Sequence, residues 1–208
     1  MAGTFRSLAL GVALCSFLVA TSGPSYAQQV RERELRPAFD FTKIQMPVEI
    51  VAVKLDGGGV RPGEKILGDD DWLRGVSFTL KNISDKPIAY AAVGLQFPQP
   101  QGFVAYILSY GVDHSRGERK RESSPPAIEP GGTVELVLTK ERYPGFLNIL
   151  ARGGAARSFD VAPYYVERIC FEGEPDIIWE AGMLKRRDPD RPTEFKVIGR
   201  YALPARQN

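Results

Sequence analysis

Hydrophobic and polar positions alternate most clearly between Val76 and Phe97, in VSFTLKNISDKPIAYAAVGLQF. Val76, Phe78 and Leu80 fall on one side of an extended chain and Ser77, Thr79 and Lys81 on the other, the period of a strand with one buried and one wet face. Asn82, Ser84, Asp85 and Pro87 then gather side chains that bond their own backbone or fix φ, which predicts a reversal. Beyond it, Ala89, Ala91, Val93, Leu95 and Phe97 share one face, and Ile88, Tyr90 and Ala92 the other. This second arm is therefore expected to be covered on both sides, near the centre of a sheet, and the two arms to form a hairpin.

The same period recurs along the chain. Val48 to Leu55 predicts a first strand, ended by Gly57, Gly58 and Gly59, where the backbone is free to take any direction. Phe103 to Tyr110 predicts another, with Val104, Tyr106, Leu108 and Tyr110 on one face. Thr133 to Thr139 follows the turn Ile128 to Gly132. Ser158 to Glu172 reads as a long strand whose hairpin partner starts at Ile177-Ile178-Trp179, and Phe195 to Tyr201 as a last edge strand. One segment changes period: Tyr143, Phe146, Leu147 and Leu150 recur at three and four residues, Pro144 fits only a first helical turn, and Gly153-Gly154 stand where a helix stops. The expected fold class is all-β: an immunoglobulin-like antiparallel β-sandwich of about seven to nine strands across 47–203, with one short helix from Tyr143 to Arg152.

The N-terminus belongs to a different kind of sequence. Arg6 precedes an apolar run from Leu8 to Ala20, followed by Gly23-Pro24 and Ser25-Tyr26-Ala27, the layout of a secretory signal peptide over 1–27 with the mature chain beginning at Gln28. The run is shorter than the roughly 20 residues of a membrane-spanning helix. An uncleaved anchor is the alternative, whereas Leu14 before Cys15 does not suit lipoprotein processing. The expected location is the periplasm or the cell exterior, with no membrane span after cleavage.

Cleavage removes Arg6 and no acid, so the 27 Lys and Arg become 26 against 25 Asp and Glu, and no nucleic acid or other polyanionic partner is implied. It also removes Cys15, leaving Cys170 with no partner for an intramolecular disulfide, so the fold relies on its core. Residues 28–46 read as a polar arm, with Arg31, Glu32, Arg33, Glu34 and Arg36 in close succession. A solvated linker is the plain reading and a docking segment the other. Residues 204–208 read as a tail.

Candidate chemistry is sparse. Asp69, Asp70 and Asp71 could supply part of the six to eight oxygens of a calcium shell, but their spacing matches no calcium loop and a solvated loop explains them as well. Tyr106 and Tyr110, with Trp72 and Trp179, offer stacking faces for a sugar, or equally core packing. His114 is the sole histidine, in a polar insertion from Gly111 to Ala127 that also carries Arg116, Arg119, Lys120 and Arg121. A zinc site with several histidines is thereby excluded, and the chain has no G-x-S-x-G nucleophile elbow. Cys170, between Ile169 and Phe171, reads as a buried, inert thiol. Lys185 to Pro192 alternates in sign, which points to internal ion pairing. No catalytic, cofactor-binding or metal-binding residues are assigned, and no cofactor is implied.

Two segments, LKNISDKPIAYAAVGLQFP and VERICFEGEPDIIWEAGMLKRRDPDRP, carry a resemblance. They resemble uncharacterised exported bacterial proteins with an immunoglobulin-like or fibronectin-like sandwich. These share an N-x-S-x-K-x-I hairpin and a later hairpin of the V-x-F-x-D-G-x-x-W-x-x-G type ending in R-R-D-P-x-x-P. Val166, Cys170, Phe171, Gly173, Trp179, Gly182, Arg186, Arg187, Asp188, Pro189 and Pro192 fall on or near that pattern, while Glu174-Pro175 departs from its tight turn. The resemblance implies a fold and a compartment and brings no reaction. The expected role is a non-catalytic interaction or structural module of the cell envelope, with an unknown protein or envelope component as partner. The alternatives are a carbohydrate-binding module, or a polysaccharide hydrolase using two carboxylates drawn from Asp69 to Asp71, Asp113 or Glu118.

Overall fold

The alternation from Val76 to Phe97 is satisfied by two sheets rather than one. The computed structural model describes residues 30–118, 121–155 and 159–202; the expected signal sequence, its cleavage point and the tail 204–208 lie outside the described residues. Strand β1 is Arg31–Pro37, β2 Val48–Leu55, β3 Gly58–Gly59, β4 Lys65–Gly68, β5 Ser77–Asn82, β6 Ile88–Gln99, β7 Gly102–Gly111 and β8 Thr133–Val137. Helix α1 is Tyr143–Arg152, followed by β9 Val161–Phe171, β10 Ile177–Glu180, β11 Met183–Arg187 and β12 Phe195–Arg200. The protein is an all-β sandwich with one short α-helix, and that helix has the predicted bounds.

The expected hairpin is corrected. Strand β5 pairs with β2 and β8, whereas β6 pairs with β7 and β9, so the chain crosses from the smaller sheet to the larger between them. The N-x-S-x-K-x-I residues make that crossing. The Asn82 amide donates to the carbonyls of Lys86 at 2.9 Å and Ile128 at 2.8 Å, while its oxygen accepts from the Ser84 amide and hydroxyl. With its donors and acceptor engaged, Asn82 is tolerated at full burial. Ile88 then exchanges backbone bonds with Ile128 at 3.0 and 2.8 Å, fixing the start of β6.

The smaller sheet runs β3-β2-β5-β8 and the larger has eight strands organised around β9. One side of β9 bonds β6 along most of its length; the other is shared, its first half with β1 and its second with β10. Strand β4 continues the sheet beyond β1, β11 and β12 continue it beyond β10, and β7 closes the far side of β6. The β1 to β9 pairing is parallel, which corrects the expectation of a wholly antiparallel sandwich. The strand count also exceeds the expected one, because β1 and the short β3, β4 and β11 do not stand out as alternating runs.

The segment read as a solvated arm is likewise corrected over Arg31–Pro37. Leu35 is 1 % exposed against Ala162, and Arg33, two residues earlier on the same face, is also 1 % exposed. Between the sheets, Phe146 of α1 meets Phe97, Tyr106 and Phe159 in ring contacts of 5.1 to 6.4 Å, which seals one end of the core. A side chain of this size contributes about 1.5–3 kcal/mol when removed from water. The helix stops at Gly153, where an added Cβ would lie 2.9 Å from that of Val104.

A bulge in β9 reverses which of its side chains point inward. Ala92 faces Arg168 but Val93 faces Val166, so Glu167 has no partner across β6. The inward set shifts from Tyr164 and Val166 to Ile169 and Phe171, and Arg168 and Cys170 are turned onto the outer face.

Candidate functional site

Two arginines, Arg33 and Arg168, each gather a cluster of polar and charged partners. Arg33 sits at one end of the sandwich with its guanidinium wholly covered. Its Nε donates to the Gly68 carbonyl at 3.2 Å, one terminal nitrogen to the Phe159 carbonyl at 2.8 Å and Asp160 at 2.6 Å, and the other to the Asp69 carbonyl at 2.8 Å and Asp70 at 2.9 Å. Five donors meet five acceptors, which is how a buried guanidinium is tolerated. The ring nitrogen of Trp72 shares the Phe159 carbonyl at 3.1 Å.

This geometry answers the calcium candidate. Asp70 faces Arg31 at 3.0 Å and Arg33 at 2.9 Å, and Asp69 accepts from the Asp71 amide at 2.8 Å, so the aspartate run is shaped around arginine. Among the described residues no group of three or more His, Cys, Asp or Glu side chains is placed to hold a metal ion.

The second centre lies on the outer face of the larger sheet. Arg168 donates to Glu180, to Asp113 at 3.1 Å and to the Ser115 hydroxyl at 3.1 Å, and Glu180 also pairs with Lys185. Asp113, only 2 % exposed, caps a single 3-10 turn, His114–Arg116, by accepting from the Ser115 amide at 3.0 Å and its hydroxyl. Its own amide donates to Glu118 at 3.0 Å, and His114 Nδ1 lies 3.1 Å from the Glu118 carbonyl. The first part of the polar insertion is therefore a fastened cover. Arg187 completes it from the C-terminal charged segment, donating to the Ser115 carbonyl at 3.2 Å and to Asp176 at 2.9 Å. Asp188, 1 % exposed, gathers Lys196 at 2.7 Å and Arg191 at 3.3 Å, so R-R-D-P works as internal ion pairing.

Under this cover Cys170 is 1 % exposed with its thiol 3.5 Å from Asp113; burial, with the Asp113 charge adding, pushes its pKa up to about 12. That is an inert thiol. Burial tends to raise Glu180, but hydrogen bonds from Lys185 and Arg168 prevail and hold its carboxyl below the usual range. Glu167 behaves oppositely. Burial raises it despite Arg168 and Arg116, and its Oε2 is enclosed without a hydrogen-bond partner.

The aromatic candidates are mostly inside. Trp72, Tyr106 and Trp179 are 7 %, 8 % and 1 % exposed, and the half-buried Tyr110 donates its hydroxyl to the Pro126 carbonyl at 2.9 Å. These rings form no exposed stacking row. An open groove of about 920 Å³ does run between the 41–46 segment and the Asn82–Ser84 crossing, lined by Phe41, Ile44, Met46, Ile50 and Tyr164.

Sequence reasoning missed Arg33, Asp160, Glu167, Arg168 and Glu180. A signal was present for two of them, since Glu167-Arg168 interrupts an otherwise apolar strand, where a charge is retained only if it is partnered. Comparisons of the chain with protein-family models, with curated proteins and with solved structures return no match.

Proposed function

We propose that the protein is an exported interaction or structural module of the cell envelope without a catalytic role, and that its contact surface is the apolar half of the outer face of the larger sheet. One observation carries this reading. The Arg168 centre covers one half of that face, while the other half exposes Phe39 at 49 % and Phe103 at 57 %, with Tyr165 and Ile107 between them. Tyr165 lies flat over Gly94, where an added Cβ would come within 2.5 Å of its ring, and Phe39 meets it edge-on at 6.1 Å. Large exposed apolar side chains on a sheet face beside a charged centre are a common mark of protein contact surfaces. The resemblance to exported sandwich proteins and the signal-like 1–27 supply the compartment. No helix among the described residues is long and apolar enough to cross a membrane.

The test is a pull-down of the mature protein from envelope extract, run beside a polysaccharide binding panel. A reproducible protein partner that is lost in the double variant Phe39→Ser, Phe103→Ser, with no sugar retained, is the expected result. Sugar release that disappears on changing one loop carboxylate to its amide would overturn it in favour of a hydrolase. Retention on polysaccharide would favour a carbohydrate-binding module.

A further inference from the structure

Every sheet edge leaves backbone donors and acceptors without partners, and soluble proteins protect such edges with charge, proline, bulges or brevity. Among the described residues, four of the edges follow that rule. Strand β3 has two residues, β4 has four with Lys65, β8 has five with Glu135, and β12 carries Lys196 and Arg200 and a register shift against β11. The exception is β7. Its ten residues, GFVAYILSYG, hold neither a charge nor a proline, and among the described residues it pairs with β6 alone.

The register shows which groups of β7 are open. The Val112 amide donates to the Ala89 carbonyl at 3.0 Å, and Tyr90 faces Gly111, so residues 102, 104, 106, 108 and 110 direct their backbone groups at β6. Phe103, Ala105, Ile107 and Ser109 direct theirs away from it. Among the described residues, the one hydrogen bond that the backbone of these four makes on that side is the Phe103 carbonyl accepting from Gln99 at 3.2 Å. Glycines at Gly102 and Gly111 bound the strand, and Gly102 has no atom within 4 Å of an added Cβ.

We propose that β7 is a self-association edge, which pairs antiparallel with β7 of a second copy of this chain about a two-fold axis and joins the two larger sheets into one. Charge selects this edge among the five. A two-fold axis sets an edge against itself, so Lys196 and Arg200 on β12, or Glu135 on β8, meet charges of their own sign, whereas β7 brings none. The hydrogen bonding is adequate. Four outward residues on each copy exchange about eight backbone bonds, within the range of roughly ten that a standard interface carries. In that register Ala105 of each copy lies opposite Ile107 of the other and Phe103 opposite Ser109, so the apolar face continues across the seam. The inference concerns the edge and not the face, so it does not rest on the proposed function.

The test uses the mature chain alone, by analytical ultracentrifugation over a hundredfold range of concentration, with hydrogen exchange read at each end of the range. The expected result is a monomer–dimer equilibrium in which the amides of Ala105, Ile107 and Ser109 gain protection as the dimer forms. Ile107→Lys, which sets like charges near each other across the axis, should weaken the dimer on the order of a hundredfold, since like-charge juxtaposition costs several kcal/mol. Val197→Lys on β12 should leave it unchanged, and both variants should keep the wild-type far-UV spectrum. A chain that stays monomeric throughout overturns the proposal and leaves β7 to an extended segment of another protein. A dimer that protects other amides, or that Ile107→Lys leaves intact, overturns it equally.

Discussion

The two arginine centres solve the same problem with different partners. Arg33 binds three backbone carbonyls, those of Gly68, Asp69 and Phe159, as well as the carboxylates of Asp70 and Asp160. Arg168 binds side chains only: Glu180, Asp113 and Ser115. A guanidinium held by carbonyls fixes the path of the chain, because it ties the end of β4 and the loop after it to the segment that leads into β9. A guanidinium held by side chains fastens a finished surface. The first centre is thus part of the fold, and the second holds a cover over Cys170 and the outer face of β9.

The sharpest way to break the comparison is to remove each arginine in turn. Arg33→Ala strands three carbonyl acceptors at the sandwich end, while the half-exposed Asp70 and Asp160 keep Arg31, and at about 1–3 kcal/mol for each stranded group the loss is about 3 kcal/mol or more. Denaturant unfolding should show a loss of that size. Arg33→Lys should recover less than half, because an ammonium cannot span five acceptors in a plane. A loss below about 1 kcal/mol for Arg33→Ala, less than the usual cost of stranding one buried polar group, would mean that the Asp69–Asp71 loop holds its shape by itself.

Arg168→Ala should cost less, about 1–2 kcal/mol, because Glu180 keeps Lys185 and Asp113 keeps Ser115 and Arg116. If the two losses were equal, the distinction between carbonyl and side-chain partners would fail.

This difference also explains what the sequence could and could not show. Helix α1 was legible because Tyr143, Phe146, Leu147 and Leu150 obey a period that a strand does not share, and β6 because both of its faces are apolar. The hairpin expectation failed because a turn such as Asn82 to Pro87 looks the same whether its arms pair with each other or cross between sheets. What decides between these is Ile128, 46 residues from Asn82, which takes the bonds a hairpin partner would otherwise take. Strand β1 was hidden for a related reason. In RERELRP the inward positions are Arg33 and Leu35, and an arginine counts as polar in any pattern of alternation, although here its stem and head are both buried. The counter-ions that make this tolerable, Asp70 and Asp160, are 37 and 127 residues away.

A smaller effect separates the centres kinetically. With the 3-10 turn in place, Cys170 should react slowly with a thiol reagent at neutral pH, since the thiol is buried and its pKa is pushed up to about 12. Arg168→Ala loosens the turn through Asp113 and Ser115 and should speed native labelling by about tenfold, whereas a milder variant of the other centre, Arg33→Lys, should leave the rate unchanged under native conditions. Fast labelling of the wild-type protein would place the thiol at a surface, against its 1 % exposure.

The smallest effect concerns a strained carboxylate beside the second centre. At Arg33 every donor is met, but beside Arg168 the bulge residue Glu167 encloses an unpartnered oxygen, with Arg116 no nearer than 4.0 Å. Arg168, Arg116, Glu180, Asp113 and the tyrosines at 90 and 165 are the charged and titratable groups around it. Burial raises its pKa in the folded protein, so below the ordinary carboxylate range both folded and unfolded chains hold the proton and Glu167 has no effect on stability. As pH rises through that range the unfolded chain releases its proton first, and the folded state is progressively disfavoured until Glu167 itself ionises. Glu167→Gln should therefore match wild type in acid and gain stability toward neutral pH, on the order of 1 kcal/mol, the usual penalty of a buried group without a partner. Unfolding midpoints of the two proteins measured from acid to neutral pH give the result. A gain that is the same at every pH would assign it to packing, and a loss at neutral pH would show that the Arg116 pair holds the carboxylate after all.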